Sequence, residues 1–154
     1  MDSFDVKLLA ALQSDGRLTN DELARAVGLS GSQCSRRRQA LEEATVIAGY
    51  RAHLDPEALG LHVTVFVQVT LATHSPDNSK RFQKLIDGLP EVQEAYSLTG
   101  EADYLIKLIV TDLKALSRIL NEVFLPHASV AHVRSSIVLD RLKQTSALPL
   151  EHLR

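Results

Sequence analysis

Residues 19–41, TNDELARAVGLSGSQCSRRRQAL, constrain this chain more than any other stretch, because they punctuate two helices in close succession. Thr19 with Glu22, and Ser30 with Gln33, each have the spacing of a capping box. The hydroxyl accepts a first-turn N–H, and the later side chain reaches back to the cap's own N–H. Gly28 falls where the earlier helix must stop, a position that often needs a positive φ. Leu23, Ala24, Val27, Leu29, Cys34 and Leu41 supply the apolar contacts between the helices. The later helix shows a small polar and basic face, with consecutive arginines at 36–38. Helix, glycine turn and capped basic helix is the arrangement that places a recognition helix in the major groove. Double-stranded DNA is the expected partner.

Composition sharpens that expectation. A chain of 154 residues with 45% hydrophobic content can build one ordinary domain or two small ones. Its formal charge is −2, and basic and acidic side chains balance within residues 1–53. Basicity is therefore local, at Arg36, Arg37 and Arg38 with Arg25 and Arg51 nearby, which suits a site-specific binder better than a nonspecific coat. The single cysteine excludes an intrachain disulfide framework, and Cys34 reads as core packing. No apolar signal segment is seen, and no apolar run nears the roughly 20 residues of a membrane-spanning helix. A cytoplasmic protein with no membrane partner is expected. The six histidines show no metal-ligand spacing and no nucleophile–base pair stands out. No metal, cofactor or catalytic residue is expected.

The hydrophobic period divides the chain. Phe4, Leu8, Leu9 and Leu12 predict a helix over 3–13, followed by the capped pair, the second of which ends near Glu43. Val46, Ile47 and Tyr50 begin an extended segment running to Asp55-Pro56. These signals predict a DNA-binding domain over 1–45, a strand-and-loop hinge over 46–60, and a second domain over 61–154. From His62 the period becomes two: Val63, Val65, Val67, Val69 and Leu71 alternate with more polar neighbours. A helix is predicted over 78–89, strands over 91–98 and 104–110, a helix capped by Asp112, and a last strand over 130–139. The order βαββαβ predicts a four-stranded antiparallel sheet with both helices on one face. The fold class is α+β: an N-terminal helix-turn-helix, winged-helix-like domain and a ferredoxin-like domain. Phe66 falls on the sheet face without helices, so a partner's sheet is expected to cover it in a homodimer.

Further residues carry a resemblance. Asp2-x-x-Asp5-x-x-Leu8-Leu9, Gly16-Arg17, Glu22-Leu23-Ala24, Leu29-Ser30, Arg37, Leu41, Val46-Ile47-x-Gly49-Tyr50 and Gly100-x-x-Asp103-Tyr104 occur in order along the chain. Together they resemble the feast/famine regulators of the leucine-responsive and asparagine-responsive (Lrp/AsnC) type over essentially the whole length. The resemblance implies a transcription regulator whose sheet domain dimerises, assembles further to tetramers or octamers, and binds an amino-acid effector. Three positions depart from the family pattern. Thr45 stands where glycine is usual, so a different exit from the recognition helix is expected, since β-branched residues disfavour the left-handed region. Arg38 stands where an apolar residue is usual and is expected to snorkel past a core edge. Ala102 replaces a frequent aromatic, which reshapes the effector pocket.

The candidate DNA-binding residues are Ser30, Ser32, Gln33, Ser35, Arg36, Arg37 and Arg38. Arginine can bind guanine and glutamine adenine through paired hydrogen bonds, each worth roughly 1–3 kcal/mol of discrimination. The alternative is a solvated helix face in which the arginines pair with Glu42 and Glu43. The candidate effector residues are Leu98, Thr99, Gly100, Glu101, Asp103 and, from a neighbouring subunit, Ser135. Asp103 would accept the ligand ammonium and the backbone near Gly100 would meet its carboxylate. Two other functions are weighed: an effector-independent DNA-wrapping architectural protein, and an enzyme resembling sirohaem decarboxylases, which share the two-domain plan.

Overall fold

The structure, a computed structural model, describes residues 1–153. Two compact units emerge: Met1–His53 together with the chain from Lys143 on, and Leu54–Leu142.

Three helices build the first unit. Helix α1 spans Ser3–Ser14, and Asp2 caps it by accepting from the N–H groups of Phe4 (2.9 Å) and Asp5 (3.0 Å). Helices α2 (Asn20–Val27) and α3 (Gly31–Glu43) begin at the predicted capping boxes. The Thr19 N–H donates to Glu22 at 2.8 Å, and the Ser30 N–H to Gln33 at 3.0 Å. Gly28 adopts φ +77°, so the turn between α2 and α3 is left-handed as the sequence requires. Leu8, Leu9, Leu12, Leu23, Val27, Cys34 and Leu41 form the buried core.

Two expectations for this unit are corrected. Thr45 does not divert the exit from α3: it takes φ +58°, the left-handed conformation that glycine would supply. The N–H groups of Val46 and Ile47 both close on the Leu41 carbonyl, at 2.9 and 3.1 Å. Those bonds hold the strained residue in place. They also explain the second correction: no strand forms over 46–60, because the first amides of that segment finish the helix instead of joining a ladder. The chain from Lys143 on belongs to this unit and not to the sheet. The Gln13 side chain satisfies both backbone groups of Leu148, at 2.6 and 3.1 Å, and Leu150 packs on the helical core.

In the second unit the order is β1 (Val63–Leu71), α4 (Pro76–Asp87), β2 (Val92–Ser97), β3 (Tyr104–Val110), α5 (Leu113–Arg118) and β4 (Val130–Ile137). A π-helical stretch, Ile119–Phe124, continues α5. The strands lie in the order β2-β3-β1-β4 and every pair is antiparallel. Val65, Val67, Val69, Ile106 and Leu108 face Phe82, Ile86, Leu116, Ile119 and Phe124, so both helices cover one face. Phe82 stacks on Tyr104 with ring centres 4.7 Å apart. Helix α4 starts earlier than the predicted Asn78, because Ser75 is its cap and Pro76 its first residue. Asn78 is instead buried in the first turn, donating to the Thr73 carbonyl at 2.8 Å. Phe66, Tyr96 and Leu98 are exposed, and the strand alternation puts Phe66 on the helix-free face.

Candidate functional site

The exposed face of α3 is where the first unit can meet DNA, yet its arginines have different surroundings. Arg36 is exposed and, among the described residues, makes no ion pair or hydrogen bond. The Arg37 guanidinium instead turns back to α1, 2.9 Å from Asp2 and 2.7 Å from Asp5. Those two carboxylates hold its pKa above the ordinary arginine value. Arg38 lies along the other flank of α3. Its Nε donates to the Tyr50 hydroxyl at 2.9 Å and to Glu42 at 3.2 Å, and a terminal N–H donates to the Leu18 carbonyl at 3.2 Å. Its side chain is 24% exposed, in keeping with the expected core-edge position. The Tyr50 hydroxyl and Arg38 keep the Glu42 carboxyl below the usual carboxylate range.

The small polar residues divide in the same way. Ser32 and Ser35 are exposed on α3. Gln33 is exposed too, but its Oε1 accepts from the N–H and hydroxyl of Ser30. Paired bonding to adenine needs both ends of the amide, and the capping box has engaged one of them. Cys34 is fully buried, and burial pushes its thiol pKa up, so it lacks the exposed thiolate of a redox sensor.

On the second unit an open depression of about 720 Å³ lies where the β2–β3 connection meets the helix-free sheet face. Leu98, Thr99, Glu101 and Ala102 line it from the connection. Gln68 and Thr70 on β1 and His132 and Arg134 on β4 complete it. The register places Gln68 opposite Arg134 and Thr70 opposite His132. A carboxylate, a guanidinium, an imidazole and uncharged hydrogen-bonding groups therefore border one cavity. Such a lining can hold the ammonium and the carboxylate of a zwitterion together.

The predicted effector residues are split by this geometry. Leu98, Thr99 and Glu101 line the cavity, and Gly100 shapes the connection with φ +124°. Asp103 does not line it. One of its carboxylate oxygens accepts from the Leu71 N–H at 2.7 Å and the other lies 3.3 Å from His74. Its backbone N–H donates to the Val69 carbonyl and its own carbonyl accepts from the Leu98 N–H, so it closes the connection on itself and ties it to β1. Ser135 pairs with Val67 on the helix-covered face and borders a separate cavity of about 270 Å³ with Leu116 and Leu120. Sequence reasoning missed Gln68, Thr70, His132 and Arg134. Their signal was the alternation itself, since Gln68 and Thr70 interleave with the buried Val67 and Val69. Only the pairing of β1 with β4 brings the two sets together. Among the described residues no group of three or more His, Cys, Asp or Glu could hold a metal ion. No helix among them is long and apolar enough to cross a membrane.

A capped helix-turn-helix unit joined to a βαββαβ unit with a ligand-sized cavity defines a class: DNA-binding regulators with a ligand-binding domain. Residues 1–42 match the AsnC-type helix-turn-helix domain, and residues 64–148 match the Lrp/AsnC ligand binding domain. The chain belongs to the Lrp/AsnC family of transcriptional regulators. It is similar to the leucine-responsive regulatory protein of Haemophilus influenzae, 37% identical over 98% of this chain and 91% of that protein. The leucine-responsive regulatory protein of Escherichia coli K12 is 36% identical over 98% of this chain and 92% of its own. Among solved structures, a transcriptional regulator of Neisseria meningitidis in complex with L-Met superposes with a TM-score of 0.97 at 40% identity, covering 100% of this chain and 99% of that one. An AsnC family regulator from Agrobacterium tumefaciens gives 0.93 at 37% identity, with both chains fully covered. These relatives are regulators and not enzymes, which removes the decarboxylase alternative.

Proposed function

We propose that this protein is a cytoplasmic, sequence-specific transcription regulator whose operator affinity is set by an amino acid bound in the cavity on the helix-free sheet face. The observation that carries the reading is the convergence of Glu101, Arg134, His132 and Gln68 on that cavity. Glu101 would take the ammonium and Arg134 the carboxylate of the ligand, with the side chain directed toward Leu98 and Ala102. The Neisseria relative in complex with L-Met supports an amino-acid effector. A second copy would cover the exposed Phe66, Tyr96 and Leu98. Two recognition helices would then reach successive major grooves about 34–36 Å apart, and larger assemblies would be built from such dimers. An effector can shift this balance only insofar as it binds one arrangement better.

The test is a panel of amino acids scored by thermal shift, each hit then measured for its effect on binding to a duplex enriched by the protein from a randomised pool. At least one amino acid is expected to stabilise the protein, and Glu101→Gln to abolish the shift. A panel without any shift overturns the amino-acid reading. On DNA, Arg36→Ala is expected to weaken the enriched duplex more than random DNA, by roughly 5- to 150-fold, corresponding to about 1–3 kcal/mol. Equal losses on both would make Arg36 a phosphate contact.

A further inference from the structure

We infer that Arg38 is a positioning residue, clasping the recognition helix to the beginning of the linker, and that it does not touch DNA. The inference rests on the DNA-binding reading above. Three segments meet at this side chain: the turn before α2, the body of α3, and the chain leaving α3. Arg38 donates to the Leu18 carbonyl in the first, to Glu42 in the second and to the Tyr50 hydroxyl in the third. Its guanidinium also lies over the Tyr50 ring, 4.6 Å from the centroid, a cation–π arrangement. Tyr50 closes the circuit by donating to Glu42 at 2.8 Å. Its ring lies beside Gly16, where an added Cβ would stand 3.4 Å from Tyr50 Cδ1, so the ring borders the turn before α2.

An arginine that grips phosphate or guanine has to present its planar fork outward. Arg36 is free to do so, whereas the fork of Arg38 is engaged by a carbonyl, a hydroxyl and a carboxylate within its own unit. The clasp therefore acts on geometry. It fixes how α3 sits against the turn before α2 and the segment at Tyr50, and so how Arg36 and its exposed neighbours are presented. An apolar residue at 38 could pack on Tyr50 but could not reach the Leu18 carbonyl or Glu42.

The experiment uses full-length protein and the duplex enriched from a randomised pool. Affinity is measured across a range of salt for wild type, Arg38→Gln, Tyr50→Phe and the double variant. Tyr50→Phe removes only the hydroxyl and keeps the ring against Gly16, so it probes the clasp without endangering the fold. Each single variant is expected to bind about three- to tenfold more weakly with an unchanged salt slope, and the double variant no more weakly than the weaker single. Loss of about one unit of salt slope in Arg38→Gln would make Arg38 a phosphate contact and overturn the inference. Wild-type affinity in either single variant, or additive losses in the double, would overturn it as well. If wild-type protein enriches no duplex at all, the DNA-binding reading itself has failed, which is a different result.

Discussion

The recognition helix and the sheet cavity are built over different distances along the chain. The features that bound α3 are local: Ser30 with Gln33, Gly28 in its left-handed turn, Thr45 closing the other end. The cavity instead needs the middle of β1, the β2–β3 connection and the far strand β4 to be in register before its lining comes together. Helix geometry of the first kind survives modest losses elsewhere in a domain. A cavity of the second kind exists only when the whole sheet does.

That contrast can be broken most forcefully in the sheet core. Phe82 is buried between α4 and the sheet and stacks on Tyr104, the first residue of β3. Phe82→Ala is expected to destabilise the second unit by about 3–5 kcal/mol. Chemical denaturation followed by far-ultraviolet circular dichroism should then show the helical unit unfolding after the sheet; a single unshifted transition would refute the separation.

A more selective break lies at the cavity's edge. Asp103→Ala leaves the Leu71 N–H without its acceptor and should cost about 1–3 kcal/mol along with ligand binding. Asp103→Asn keeps an acceptor oxygen and should retain most of both. Equal loss of ligand binding in the two variants, measured by calorimetry, would instead give Asp103 the direct role with the ammonium that the sequence suggested.

The first unit offers a change in the opposite direction. Thr45 holds a conformation that L-residues with branched Cβ atoms rarely adopt, so Thr45→Gly should stabilise the helical unit by about 1 kcal/mol in a thermal melt. Destabilisation would mean that the Thr45 side chain contributes a contact outweighing its strain.

The smallest effect is one of pH. Glu42 titrates below its ordinary range when folded because of Tyr50 and Arg38. Its contribution is complete above the ordinary carboxylate pKa and fades as pH falls through the lower folded value. Glu42→Gln should remove a small part of the acid dependence of stability, and an unchanged acid limb would show that solvent screens the pairing.

Legibility from the sequence follows the same division. Both capping boxes, Gly28, β1 and β3 were readable because their determinants lie within a few residues of each other. What was misread depended on partners far away. Residues 46–60 look extended, but an amide at Val46 can serve a helix end as well as a ladder. Nothing in the composition of the final residues announces that Gln13 will bind Leu148. The arginine run could be located but not resolved, since Asp2, Asp5 and Tyr50 are what separate Arg37 and Arg38 from Arg36. Asp103 was visible as a motif residue, while its engagement with Leu71 depends on how the connection folds onto β1.

The alternation along β1 has a consequence for how such a regulator can change its ligand over time. Val67 and Val69 belong to the core, while the interleaved Gln68 and Thr70 border the cavity. Each cavity position is thus separated by a backbone from the packing that keeps the sheet together. With the effector in that cavity, as proposed above, substitutions at Gln68, Thr70, His132 or Arg134 would alter ligand chemistry without entering the core that Val67 and Val69 help to pack.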